Sequence, residues 1–123
     1  MRGFRGATTI SQNTEQDIMD ETRQLVLEMV QQNNIEPTNI SHVFFTVTDD
    51  INAAFPAKVA RELPGWSHVP VMCMREIDVP NSLEKCIRVM LLAKTDLAQK
   101  EVIHIFLNDA VKLRPDLINE EGE

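Results

Sequence analysis

Between Glu15 and Gln32 apolar side chains return every three or four residues: Ile18, Leu25, Val26, Met29 and Val30, with Thr22 among them, make one stripe. A period of this kind predicts an amphipathic helix. Asn13 or Thr14 is placed to cap it, Glu15, Asp17 and Asp20 suit its positive end, and Asn33 and Asn34 close it. Elsewhere the period drops to two. The β-branched residues of MRGFRGATTI predict a first strand. HVFFTVT, His42 to Thr48, predicts a second, with Val43, Phe45 and Val47 on one face and Phe44 and Thr46 on the other. Pro56 opens a short helical segment from Ala57 to Glu62, broken at Pro64 and Gly65. A third strand spans Val69 to Ile77, and the turn DVPNS leads to a fourth within KCIRVMLLAKT. VIHIFL is a fifth strand, AVKLRPDLI an extended tail, and NEEGE a frayed end.

One long helix with about five strands predicts an α+β fold, a mixed sheet covered on one face by that helix. The second and fourth strands are apolar on both sides, so the face without a helix calls for cover by identical subunits. A chain of 123 residues supports a single domain, assigned to residues 1–117, with 118–123 as a frayed tail.

The net charge of −7 argues against nucleic acid as the main partner. No apolar run is long enough to span a membrane and no signal-peptide block opens the chain, so a cytoplasmic protein is expected. Cys73 and Cys86 lack CxxC spacing, and His42, His68 and His104 lack ligand spacing. Neither metal nor cofactor is expected.

Arg88 interrupts the apolar run of the fourth strand, and a buried guanidinium requires an anionic partner. Two readings are open. Arg88 and Glu76 could form a structural ion pair between neighbouring strands. Alternatively, Arg5, Arg61, Arg88 and Arg114, all in or beside apolar segments, could join Glu76 in a site for a small polycarboxylate, which guanidinium forks pair well.

Four blocks in order, GFRGATTI, FPAKVARELPGW, VPVMCMREIDVPNSLEKCIRVM and LRPDL, resemble the small single-domain chorismate mutases of the Bacillus type, whose trimers are built as pseudo α/β barrels. The resemblance runs from Arg2 to Leu117 and implies an isomerase of aromatic amino-acid biosynthesis that converts chorismate to prephenate by an intramolecular [3,3] shift. Such chemistry needs conformational restraint and electrostatic stabilisation rather than a nucleophile. By resemblance, Arg88 meets the ether oxygen of the breaking bond, Arg5 binds substrate carboxylate, and Glu76 faces the ring hydroxyl and the developing positive charge. Cys73 lines the pocket near that hydroxyl, with Val71 and Met72 beside it. Phe55, Ala57, Lys58 and Arg61 reach the site of an adjacent subunit, while Phe106, Leu113 and Arg114 bound the substrate, the last two as a partial lid.

Three features depart from the pattern. Phe106 stands where a tyrosine is usual, Met72 stands where a small polar residue is usual, and Cys73 and Glu76 share a pocket only if the strand bulges or ends near Arg75. Two other functions suit the same scaffold, a non-catalytic small-ligand binding or regulatory module and an imine-deaminase-like trimer.

Overall fold

A computed structural model describes residues 1–114. The amphipathic segment forms α1, Glu15–Gln32, within the bounds its caps predict. Thr14 supplies the N-cap: its Oγ1 accepts the Asp17 N–H at 3.1 Å. Asn13 instead ties down a distant loop, its Oδ1 accepting from the Asn52 and Ala53 N–H groups. Ile18, Met19, Thr22, Leu25, Val26 and Met29 are buried, and Val30 lies at the stripe's edge.

The strands are β1 (Arg2–Thr9), β2 (Ile40–Val47), β3 (Val71–Arg75), β4 (Cys86–Ala93) and β5 (Ile105–Phe106). They form one mixed sheet in the order β3-β2-β4-β1-β5. β4 runs antiparallel to both β1 and β2, whereas the β2–β3 and β1–β5 pairs are parallel. α2, Ala57–Glu62, lies between β2 and β3 in the chain and packs on α1 and β3. No helix of the described residues is long and apolar enough to cross a membrane.

Alternation divides the sheet. Phe4, Val43, Phe45, Ile87, Val89 and Leu91 form the buried face under α1. Gly6 belongs to that face because a Cβ there would collide with the Met29 sulfur, so the absent side chain lets helix and sheet approach. Arg5, Phe44, Thr46, Arg88, Met90 and Phe106 belong to the opposite face, which no α-helix of the described residues covers. On β4 the helix side is buried throughout, while on the other side Arg88 and Met90 are exposed and only Cys86, at the start of the strand, is fully buried. The guanidinium expected to be buried is exposed in the single chain, while the expected bare apolar face is present.

Three elements differ from the pattern in the sequence. β3 starts at Val71 because Pro70 has no N–H to pair; its carbonyl still accepts from Val43 at 3.0 Å. β5 keeps only Ile105 and Phe106, since the amide of Asn33 occupies both backbone groups of Ile103. The expected extended tail begins as a 3₁₀ turn, Asn108–Lys112, entered with Asn108 in the left-handed region at φ 55. The frayed end expected at 118–123 lies outside the described residues.

Candidate active site

Arg88 projects from β4 onto the bare face with its side chain 45% exposed, and its Nε lies 3.0 Å from Glu76 Oε2 in an ion pair. Glu76 follows the last residue of β3. Its N–H donates to the Val47 carbonyl at 2.8 Å, and Arg75 before it is held by Asp49 at 2.7 Å, so the strand end is fixed. β3 and β4 are not neighbours; β2 lies between them. The Glu76 carboxylate reaches Arg88 across Thr46, whose hydroxyl donates to Oε1 at 3.0 Å. The pair is thus not the simple bridge between adjacent strands that one reading expected.

An open cavity of about 330 Å³ adjoins this arrangement, with Arg5, Arg88 and Arg114 as its cations and Phe44, Met90 and Phe106 among its apolar lining. Leu113 closes part of the rim. Three guanidiniums around an apolar pocket suit a small molecule with more than one carboxylate, because each planar fork matches carboxylate geometry. On the far side of Glu76 a second hollow is lined by Asp49, Asp50, Asp78 and Glu84, which repel such a ligand.

Long-range hydrogen bonds place the edges of the cavity. His104 Nδ1 accepts the Arg5 N–H at 2.9 Å. Burial pushes the His104 pKa down, and the nearby Arg5 and Arg114 charges push it the same way, which favours the neutral ring that this bond requires. Asn108 Nδ2 donates to Thr8 Oγ1 at 3.1 Å, Thr9 O at 3.0 Å and Glu21 Oε2 at 2.9 Å. These bonds anchor the turn that leads to Leu113 and Arg114. Cys86, buried on β4, has its pKa raised by desolvation against the opposing pull of Arg88, so it stays a thiol.

The remaining expected site residues gather elsewhere. Ala57 is buried in α2, Arg61 is exposed on it, Lys58 bridges to Glu15 at 3.5 Å, and Phe55 is 75% exposed just ahead of it. Val71 and Cys73 in β3 face the helix-covered side and pack on the core there. Burial raises the Cys73 pKa, while the Ala57 backbone and Arg61 work the other way. β3 does end at Arg75, as a shared pocket would need, but Cys73 still pairs in regular register with Phe45, without a bulge. It therefore points away from Glu76, and a pocket shared by the two within one protomer does not form. Met72 projects to the bare face, 58% exposed.

One chain therefore carries two groups: Arg5, Glu76, Arg88, Phe106, Leu113 and Arg114 on one side, and Phe55, Ala57, Lys58, Arg61, Val71 and Cys73 on the other. The sequence pattern assigns no site role to Thr46, Phe44 or Asn108, and of His104 it shows only the lack of ligand spacing. The alternation in HVFFTVT did put Phe44 and Thr46 on one face, but only the register of β2 on β4 sets Thr46 opposite Arg88. Among the described residues no group of three or more His, Cys, Asp or Glu is arranged to hold a metal ion.

Comparison with known proteins bears on the family. The chain is 45% identical over 117 residues to the chorismate mutase AroH of Bacillus subtilis, covering 95% of this chain and 92% of that protein. It is 45% identical over 118 residues to the chorismate mutase AroH of Thermus thermophilus, covering 95% and 96%. The solved structure of a chorismate mutase from Clostridium thermocellum superposes with a TM-score of 0.86 at 50% identity, covering 89% of this chain and 97% of that one. Residues 1–117 match the family described as chorismate mutase type I, and the chain belongs to that family.

Proposed function

We propose that this protein converts chorismate to prephenate in aromatic amino-acid biosynthesis, as a cytoplasmic homotrimer with its active sites between subunits. The observation that carries the reading is the setting of Arg88: a cation at a cavity with two further guanidiniums, meeting its carboxylate partner through Nε. A [3,3] rearrangement breaks an ether C–O bond while a C–C bond forms, with no external nucleophile and no proton lost or gained. What a protein can supply is restraint of the reactive conformer and preplaced charge where the bond polarises.

In this reading Arg5 and Arg114 hold the substrate carboxylates, and the apolar lining excludes extended conformers. Arg88 stabilises negative charge growing on the ether oxygen, and Glu76 faces the ring hydroxyl and the positive side of the polarised ring. The α2 group, with Cys73 and Val71, completes the pocket of a neighbouring protomer. Opposite placement of the two groups in one chain supports that assignment, since neither makes a closed site alone. Residues 1–117 act as one catalytic domain.

The test is optical. Purified protein is expected to accelerate the loss of chorismate absorbance, and a protein that leaves that rate at its spontaneous value is a binding module instead. Arg88→Ala should lower kcat by about two to three orders of magnitude, the scale for losing a preplaced transition-state donor. Arg88→Lys should also be poor, because a flexible point charge does not reproduce the planar fork.

A further inference from the structure

Thr46 lies directly opposite Arg88 in the β2–β4 register, on the same bare face, and half-buried at the cavity. The Glu76 carboxylate reaches over it from the end of β3, so its two oxygens go to different partners: Oε1 to the Thr46 hydroxyl and Oε2 to Arg88 Nε, each at 3.0 Å. Carboxylate and guanidinium left to themselves favour a fork, with both oxygens on two parallel N–H groups. The hydroxyl gives Oε1 a partner other than the guanidinium. We infer that Thr46 is a positioning residue for the rearrangement, keeping Glu76 in a single contact with Arg88 so that the guanidinium is not neutralised by its own protein. The inference rests on the mutase reading above and extends it.

Two consequences follow from losing the hydroxyl. Oε1 loses its donor, and the lowest-energy use for it is a second contact on Arg88. The carboxylate then screens the cation and leaves the position that faces the substrate hydroxyl. Both effects bear on charge that develops as the ether bond stretches, so they act on kcat more than on KM.

Thr46→Val removes the hydroxyl and keeps the branched shape, whereas Thr46→Ser keeps the hydroxyl. The valine variant should lower kcat by about tenfold or more with KM within about threefold, and the serine variant should stay within about threefold of wild type in both. In a Glu76→Gln background, Thr46→Val should add less than about a twofold change, because the partner it positions is already gone. A valine variant within about twofold of wild type overturns the inference. So does an equal loss in both backgrounds, which would make Thr46 a packing residue. A crystal structure of the valine variant gives a readout free of activity: Glu76 closed onto two nitrogens of Arg88 supports the role, and an unmoved Glu76 refutes it. Wild-type protein without mutase activity would sink the mutase reading and with it the kinetic role, and that structure would still decide whether Thr46 holds the carboxylate.

Discussion

Phe106 pairs with Ala7 in the β1–β5 ladder, and Ala7 pairs with Arg88, so the phenyl ring lies on the same face as the proposed catalytic cation with no polar atom to offer. A hydroxyl at its para position would enter a cavity lined by three guanidiniums. One neutral donor to a charged acceptor contributes about 1–3 kcal/mol. Phe106→Tyr should therefore lower KM by about fivefold or more with kcat within about twofold, measured by initial rates on chorismate. An unchanged or higher KM would remove Phe106 from the carboxylate-binding wall. His104 makes a prediction in pH. Its Nδ1 accepts from Arg5, its surroundings include Arg2 across a small hollow as well as Arg5 and Arg114, and its pKa is lowered. The unfolded chain therefore binds a proton that the folded chain resists, and stability rises with pH across this window. It is fully present above the ordinary imidazole value of about 6.5 and is lost as pH falls toward the depressed folded value. Urea midpoints should fall between about pH 7 and pH 5, and His104→Gln should flatten that part of the curve. The proposed catalytic residues were legible in the sequence through blocks of resemblance, and Arg88 also through its misfit in an apolar run. Thr46 and His104 were not, because their roles arise from strand register and from a contact 99 residues away in sequence.

At the level of elements, local signals were reliable and distant ones were not. The bounds of α1 and α2 follow from caps and prolines within a few residues of each end, so the sequence shows them directly. β5 reads as six residues in VIHIFL, yet two remain, because Asn33 at the end of α1 takes Ile103 out of the ladder. Asn33 is 5% exposed and makes three bonds with its amide: Nδ2 to Met29 O at 2.9 Å and to Ile103 O at 2.8 Å, and Oδ1 from Ile103 N at 2.8 Å. The side chain replaces a neighbouring strand as partner for that peptide, and so fixes the approach to Phe106. Asn33→Ala leaves buried backbone groups without partners and should cost about 2–4 kcal/mol by urea unfolding. The same variant should raise KM as well, since β5 has only two ladder residues to hold Phe106 over the cavity. Stability close to wild type would mean that other contacts define the start of β5.

Across the whole molecule, the bare sheet face and the split between two residue groups point the same way. Met72, Met74 and Met90 expose apolar surface around the cations of the first group, and Phe55 stands out beside the second. An exposed apolar face of this kind favours burial by another copy. A head-to-tail contact that places the α2 group of one protomer over the Arg88 cavity of the next closes into a ring if the rotation permits. The fold shows both surfaces but not their closure, which is why three subunits enter by resemblance and not from the pattern of residues. Genetic mixing separates a composite site from one completed within a single chain. Arg88→Ala disables the sheet group and Arg61→Ala the α2 group, so each homogeneous protein should be impaired, Arg88→Ala the more severely. When the two are co-expressed and assemble at random, about a quarter of the interfaces bring an intact sheet group from one chain against an intact α2 group from another. Co-assembled protein should recover activity toward about a quarter of wild type, well above either parent. The recovered sites should show wild-type KM, because each contains every wild-type side chain. Activity of the mixture equal to the average of its parents would place Arg61 and Arg88 in one chain's site or Arg61 outside catalysis, and the composite arrangement would have to be abandoned.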